Sequence, residues 1–297
     1  MHLTRRAFGL SAAASLLAGK SLAQISAGAG TLTTVSDGHL VLPAGFYLDP
    51  LPQEGLEPLR AQLGLTSDTL QSPCNLALYS DADRTVLFDA GSGPNFMPSA
   101  GEILDNLEAA GAAPDDITDV VFTHAHPDHI WGVLDDFDDP LFPNATHHIG
   151  QDEADYWLNP ATVETIGEVR AAFAVGARTR LEAIADTLST FRDGDTVIPG
   201  ITARATYGHT PGHMAFMIAD DTLIVGDAIG NGHLALARPD WPSGADQDFE
   251  MGIATRTALL AELADTGMRM VGFHLPSGGM GRIEKTADAH RFVEDQT

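Results

Sequence analysis

Three histidines and one aspartate lie within six residues, His124-Ala125-His126-Pro127-Asp128-His129. This stretch directly follows the apolar run 120–123, which is typical of a buried strand. The four side chains cannot all share one face of a helix or one side of a strand, but a tight loop at a strand end lets them converge. Imidazole nitrogens and carboxylate oxygens bind zinc, and also manganese, iron or cobalt. The stretch therefore predicts a metal-binding loop rather than an incidental histidine-rich surface turn.

Three further segments place metal-binding residue types after apolar runs. The element Tyr207-Gly208-His209-Thr210-Pro211-Gly212-His213 carries two histidines on a turn, and an aspartate follows Ile224-Val225-Gly226. Another histidine follows Gly272-Phe273 near the C-terminus. We therefore add the residues at these predicted strand ends to the candidate ligands: His209, His213, Asp227 and His274.

Turn formers and hydrophobic periodicity predict the elements that position these residues. The runs 76–79 and 85–88 predict a β-hairpin, and Ser99-Ala100-Gly101-Glu102 is a capping box that predicts a helix ending at Gly111. The remaining predictions are strands at 119–123, 196–206, 214–225 and finally 269–273, and helices at 152–157, 163–188 and 255–263. The pattern predicts one α/β domain with two sheets covered by helices.

Composition limits the possible functions. A chain of 297 residues with 44% hydrophobic residues can bury the core of one large domain or of two small ones. The net charge of −25 repels phosphate backbones and argues against a nucleic-acid partner. The single cysteine, Cys74, excludes an internal disulfide and a cysteine-based metal cluster. Beyond the N-terminus no apolar run reaches the ~18 residues of a membrane span.

The first residues have the pattern of an export signal. Thr4-Arg5-Arg6-Ala7-Phe8-Gly9-Leu10 precedes an apolar stretch at 11–18 and the small residues of Ser21-Leu22-Ala23. The adjacent arginines resemble a twin-arginine signal, although a short amphipathic helix of the folded domain is the alternative. We expect a signal peptide at 1–23, a single catalytic domain at 24–297, and a mature protein in the periplasm or outside the cell.

The candidate ligands, in their order along the chain, resemble the metallo-β-lactamase-fold hydrolases over nearly all of the mature sequence. The H-x-H-x-D-H, G-H-T-P-G-H and G-D elements and the late histidine carry this resemblance. Gly226-Asp227, His233, Asp240-Trp241-Pro242 and His274-Leu275-Pro276 are similar to the branch that contains methyl parathion hydrolase and its lactone-hydrolysing relatives. The resemblance implies a four-layer αββα fold, in which two β-sheets pack face to face with helices outside, and a binuclear metal site at one edge.

The resemblance also implies a role for each matching residue. His124, His126 and His209 would bind the first metal, and Asp128, His129 and His274 the second, while Asp227 bridges the two. Asp89 would orient the metal-binding loops, and His213 would brace its own loop. Zinc is the expected metal at both positions, with manganese, iron or cobalt as alternatives.

A binuclear site implies a hydrolytic mechanism. Two cations about 3.5–4 Å apart share a hydroxide and lower the pKa of water towards ~7, so no activated side chain is needed. The sequence contains no G-x-S-x-G elbow, and no base stands beside Cys74 in the sequence. We expect attack on a carbonyl or phosphoryl centre, with Asp128 and Asp227 as the catalytic carboxylates. The expected substrates are neutral esters, namely lactones including acyl-homoserine lactones, aryl esters and phosphotriesters.

Candidate substrate contacts lie near the predicted ligands in the sequence. Trp131, His233 and Phe273 are candidate substrate contacts. A core position for Trp131 and a plain loop position for His233 are equally compatible with the sequence, and an aromatic residue such as Phe273 is more often in the core. Ser277-Gly278-Gly279, which replaces an aromatic residue and a proline of the related branch, predicts a roomier rim. The acidic run 135–139, if it faces the site, would favour neutral substrates. Related enzymes also make a homodimer through the segment 29–51 an expectation.

Three other functions compete with this hypothesis. A mono-iron persulfide dioxygenase of the same fold would need no second-metal bridge, so the presence of both Asp227 and His274 argues against it. The β-lactamase hypothesis is weakened by Asp227, because a bridging carboxylate at this position is typical of the lactonase and phosphotriesterase branches. A non-catalytic binding module would have lost ligands, and none is lost.

Overall fold

The structure, a computed structural model, describes residues 24–232 and 234–295. The signal peptide expected at 1–23 lies outside the described residues. The strands are β1 (Gln24–Ala27), β2 (Gly30–Pro43), β3 (Thr69–Ser80), β4 (Thr85–Phe88), β5 (Asp119–Val121), β6 (Thr146–Gly150), β7 (Leu188–Phe191), β8 (Thr196–Ile198), β9 (Ile201–Ala205), β10 (Met214–Ile218), β11 (Thr222–Gly226), β12 (Arg269–Gly272), β13 (Met280–Lys285) and β14 (His290–Glu294). The helices are α1 (Ala44–Leu48), α2 (Leu56–Leu63), α3 (Ile103–Ala109), α4 (Pro127–Ile130), α5 (Gln151–Leu158), α6 (Thr162–Thr165), α7 (Ala171–Ala183), α8 (Leu234–Ala237) and α9 (Phe249–Thr266).

The strands form two seven-stranded sheets. β1 to β7 follow one another in the first sheet, and β14 to β8 follow one another in reverse order in the second. β4, β5, β6 and β7 are parallel, as are β11 and β12. Parallel strands direct their carboxyl ends to the same edge of a sheet. The loops after β4 and β5 therefore open at one edge of the first sheet, and those after β11 and β12 at one edge of the second. The candidate ligands lie on the loops after β5, β11 and β12, except for His209, which lies between β9 and β10.

Apolar side chains hold the two sheets face to face and the helices outside them. Phe88 and Val121 of the first sheet share a buried cluster with Phe216 and Ile224 of the second. The outer face of the first sheet packs against α3, α5 and α7, and that of the second against α9. This arrangement confirms the expected four-layer αββα fold. Within the described part of the chain, no helix has the length and apolarity needed to cross a bilayer.

Several local predictions are confirmed and others are wrong. The hairpin predicted at 76–79 and 85–88 forms as the β3–β4 pair. The helix predicted at 163–188 is interrupted, because Gly167 adopts a φ of 95° between α6 and α7. The capping box does not form, since the hydroxyl of Ser99 donates to the carbonyl of His39 instead. Strand 269–273 is not the last, because β13 and β14 pair beyond it.

Candidate metal centre

The loop after β5 presents its polar side chains in one direction. His126 has an extended backbone (φ −69°, ψ 160°) and caps α4, whose first residue is Pro127. A proline at this position suits a helix start, because its fixed φ is helical and its missing N–H needs no partner. Asp128 and His129 then project from the first turn of α4, beside His126. All of these side chains are buried.

Three histidine nitrogens converge to form the first ligand set. His126 Nδ1 lies 2.9 Å from His124 Nε2 and 2.9 Å from His209 Nε2. Burial, and the neighbouring imidazoles, hold the pKa of His124 and His126 well below the usual value. These rings are therefore neutral, and their lone pairs are available to a cation.

Carboxylates and histidines form the second ligand set. Asp128 Oδ2 lies 3.5 Å from His129 Nε2 and 3.3 Å from His274 Nε2. Asp227 Oδ2 is 3.2 Å from His274 Nε2 and 3.3 Å from His209 Nε2, so this carboxylate stands between the two sets. The structure thus brings together all seven ligands that the sequence predicts.

The donor atoms of the second set fit a divalent cation. Asp128 Oδ2, His129 Nε2 and Asp227 Oδ1 are buried without a hydrogen-bond partner. Metal–ligand bonds of 2.0–2.1 Å place tetrahedral ligands about 3.4 Å apart, which matches the spacing in the second set. Burial alone would lower the pKa of His129, but Asp89, Asp128 and Asp227 raise it to about 10. This excess of negative charge is what a divalent cation would neutralise.

Neighbouring polar groups hold the ligands in place. Asp89 Oδ2 pairs with His129 Nδ1 at 2.8 Å, and Asp89 Oδ1 accepts a hydrogen bond from the Thr123 amide. His213 stays outside both ligand sets, and its Nε2 accepts a hydrogen bond from the Asp227 amide at 3.0 Å. Gly226 has a φ of 51°, and a Cβ there would lie 2.8 Å from His213 Nε2, so the G-D element needs its glycine.

Four supporting residues have no signal in the sequence. Asp246, which is paired with Arg256 at 3.0 Å, lies 3.4 Å from His209 Nδ1. The carbonyl of Pro73 accepts a hydrogen bond from His274 Nδ1 at 2.7 Å. Asn75 and Glu153 also contact the metal-binding loops. Because these residues lie far from the ligands along the chain, only the tertiary fold reveals them.

Cys74 lies closer to the site than its sequence context indicates. A ligand-type atom from each of Cys74, Asp128 and His274 lies within 4.8 Å of the other two. Burial raises the pKa of the thiol to about 12, although His274 opposes this rise. The thiol is therefore protonated at neutral pH and is a poor nucleophile.

A cleft opens over both ligand sets. Its apolar wall includes side chains that we did not predict: Leu40, Leu42, Phe46, Phe96 and Phe173. Tyr47, Arg170, Asn231 and Ser243 add polar groups to the lining. The cleft thus combines a mainly apolar wall with a few polar contacts, which is typical of small-molecule sites.

Two of the three expected substrate contacts lie elsewhere. Trp131 packs beneath α7, where Arg180 stacks on its ring at 4.6 Å, and it does not line the cleft. Phe273 stacks on the back of the His129 ring with the centroids 3.8 Å apart, and it also lies off the cleft wall. His233 lies outside the described residues.

Two expectations about the rim also differ from the structure. Residues 136–139 are exposed, and no residue of the acidic run 135–139 lines the cleft. Gly279 is buried, and a Cβ there would lie 2.1 Å from the Gly272 carbonyl. Ser277 is exposed, and no residue of the Ser277-Gly278-Gly279 segment lines the cleft, so the segment does not form its rim.

Comparisons with known proteins agree with this geometry. The family model described as Metallo-beta-lactamase superfamily matches residues 70–266. The N-acyl homoserine lactonase AttM of Agrobacterium fabrum strain C58 is 30% identical over 118 residues, which are 39% of this chain and 41% of that relative. The chain thus matches less than half the length of this curated relative.

Two solved structures are similar over almost the whole chain. AidC, a dizinc quorum-quenching lactonase in complex with a product, is 26% identical with a TM-score of 0.85 over 93% of this chain and 98% of its own. The hydrolase AbOPH of the beta lactamase superfamily is 26% identical with a TM-score of 0.83 over the same shares. Because the family match covers more than half of the chain and includes the loops of His124 and Asp227, the chain belongs to the metallo-β-lactamase superfamily.

Proposed function

We propose that this hydrolase is an exported two-metal enzyme that opens lactone rings, with N-acyl homoserine lactones as its substrate class. The observation that carries this proposal is the convergence of seven buried ligands beneath a largely apolar cleft. The similarity to AidC and AttM, both lactonases by name, supports it. Aryl esters and phosphotriesters remain candidate secondary substrates, because the same site would polarise their ester groups.

The ligands divide the chemistry between them. His124, His126 and His209 would hold one cation, and Asp128, His129 and His274 the other, with Asp227 shared. Two divalent cations bound there supply Lewis acidity towards a carbonyl oxygen and a water whose pKa falls from 15.7 towards ~7. Besides ligating, the Asp128 carboxylate would accept the proton that the attacking water releases.

Tyr47 supplies a proton donor in the lining of the cleft. Its hydroxyl lies 3.1 Å from Ser72 Oγ, and its side chain lines the cleft together with Asp128 and His274. Burial raises the pKa of Tyr47, so the phenol is protonated at neutral pH. If Ser72 donates to the phenol oxygen, the Tyr47 proton is free to bind the substrate carbonyl or the departing alkoxide.

The remaining wall suits the acyl chain of a neutral lactone. Phe46, Phe96 and Phe173 face the cleft, and burying an alkyl chain against them contributes about 0.8 kcal/mol per methylene. Arg170 is the one Lys or Arg among the described lining residues, and its Nη2 already donates to the carbonyls of Gly244 and Ala245. Apart from the proposed cations, the described lining side chains therefore offer little charge attraction to an anionic substrate.

A panel assay tests the substrate class. The metal-loaded mature protein is given an acyl-homoserine lactone, p-nitrophenyl acetate, a paraoxon-type triester and nitrocefin, and its metal content is measured. We expect the highest kcat/KM for the lactone and two metal equivalents per chain. Preferred turnover of nitrocefin would refute the lactonase assignment, and one iron per chain with oxygen consumption would indicate the dioxygenase.

A matched pair of variants ties activity to the site. Asp128→Asn removes one carboxylate oxygen of the second set, and we expect turnover to fall with partial loss of metal. Asp105→Asn changes an exposed aspartate of α3 and should leave both unchanged. Full activity of Asp128→Asn with full metal occupancy would remove Asp128 from the mechanism.

Export and assembly are separate parts of the proposal. Replacing Arg5 and Arg6 by lysine should retain the protein in the cytoplasm if the twin-arginine signal is used, and cell fractionation measures this. A homodimer is expected by analogy with related enzymes, and light scattering of the purified protein tests it. A wild-type distribution of the double lysine variant would refute the export route.

A further inference from the structure

Glu153 is a buried carboxylate of α5 that lies between the two loops of the first ligand set. Its Oε1 accepts hydrogen bonds from the Ala125 amide at 2.9 Å and from Trp157 Nε1 at 2.5 Å. Its Oε2 accepts from Thr210 Oγ1 at 2.7 Å and from the Gly212 amide at 3.0 Å. The side chain is fully buried.

These bonds join the two loops that hold the first metal ligands. Ala125 stands between His124 and His126, and Thr210 directly follows His209. One carboxylate thus sets the distance between the loops that carry all three nitrogens of the first set. A carboxylate offers four acceptor sites, and all four are taken by donors.

The charge of Glu153 also points to a cation nearby. Within the described residues, no Lys or Arg pairs with this carboxylate, and its bonds come from neutral donors. A buried charge without a counter-charge is costly. A divalent cation held by the residues next to Ala125 and Thr210 would compensate it.

One ligand of the second set, His274, is held in place by a different side chain. Asn75 Nδ2 donates to the carbonyls of Phe273 and Leu275 at 2.8 and 2.7 Å, which flank His274 on both sides. The backbone N–H of Asn75 also donates to the Phe273 carbonyl at 2.9 Å. Neither contact reaches the loops of the first set.

We propose that Glu153 is a positioning residue for the first metal and that Asn75 is its separate counterpart for the second. This inference rests on the two-metal site of the proposed function. Removing a partner that orients metal ligands typically costs 10–100-fold in metal affinity. Glu153→Gln keeps the side-chain volume but turns one oxygen into a donor that faces other donors, so it should weaken the first site selectively.

The experiment titrates metal-free protein with Zn²⁺ against a competing chelator, which resolves two affinities. We expect Glu153→Gln to lower one affinity 10–100-fold, Asn75→Ala to lower the other, and the double variant to lower both. Glu164→Gln, an exposed glutamate of α6, should leave both unchanged. Thr210→Val removes one of the four hydrogen bonds to Glu153 and should lower the affinity of the first site for Zn²⁺ less than Glu153→Gln does. This variant tests the inference even if Glu153→Gln folds poorly.

The outcomes separate the inference from the proposed function. Wild-type affinities in Glu153→Gln, or equal losses at both sites together with a lower unfolding temperature of the metal-free protein, would overturn the inference. If the wild type binds only one equivalent, the two-metal function fails. In that case the role of Glu153 is decided by whether Glu153→Gln weakens that single equivalent.

Discussion

The buried aspartate Asp37 should make the stability of this protein fall as the pH rises. Asp37 is fully buried, and its Oδ2 and Oδ1 accept hydrogen bonds from the amides of Ser92 at 2.7 Å and Ile103 at 3.0 Å. It thereby holds the turn that follows Asp89. Burial raises the pKa of Asp37 from 3.8 to about 6, and these hydrogen bonds only partly oppose the rise.

The sign and the size of the effect follow from this pKa. Between pH 3.8 and about 6 the folded state binds more protons at Asp37 than the unfolded state does. The free energy of unfolding therefore decreases as the pH rises through this window and is constant above it. The whole change corresponds to about 3 kcal/mol. The range from pH 5 to pH 7 lies above the isoelectric point near 4.5. Over this range Asp37 lowers the free energy of unfolding by about 1.4 kcal/mol.

The assay is urea unfolding of metal-free protein at pH 5 and pH 7, comparing the wild type with Asp37→Asn. Other carboxylates contribute equally to both proteins, so the difference between their pH slopes isolates Asp37. We expect the wild type to lose about 1.4 kcal/mol more than the variant over this range. Asp105→Asn, at an exposed position, should keep the wild-type slope. Parallel slopes for the wild type and Asp37→Asn would refute the reasoning.

Three further predictions concern the site itself. His274→Ala should lose one metal equivalent, and its kcat/KM should fall at least 100-fold. His290→Ala, on β14, should keep the wild-type metal content and kcat/KM. Unchanged catalysis in His274→Ala would contradict the two-metal site. Tyr47→Phe should lower kcat about 10–100-fold with wild-type metal content, because the variant lacks the proton donor to the reacting oxygen while Ser72 keeps its place. An unchanged kcat would exclude Tyr47 as a proton donor. Cys74 should resist thiol reagents in the native protein and react only after unfolding, which a chromogenic disulfide measures; rapid native labelling would show that the thiol is exposed.

The convergence of the candidate ligands was predictable because their signal is local. His124, His126, Asp128 and His129 lie on one short loop, and Asp227 and His274 each follow a strand whose apolar run is visible in the sequence. Strand ends collect at sheet edges, so residue type and position relative to a strand suffice to nominate a ligand. The hairpin of β3 and β4 was predictable for the same reason, because a short turn joins the two apolar runs.

The supporting groups and the cleft depend on contacts between distant parts of the chain. Asn75 binds the carbonyl of Phe273, 198 residues away, and Glu153 joins loops that do not adjoin α5 in sequence. An aromatic residue looks the same in the sequence whether it packs in the core or lines a cleft. The local sequence therefore does not distinguish Phe173, which lines the cleft, from Trp131, which packs beneath a helix. Sequence alone thus determined which chemistry the chain carries, since ligand identity and strand periodicity are short-range properties. Only the tertiary structure decided what surrounds that chemistry, because packing between residues far apart in the chain is set by the fold as a whole.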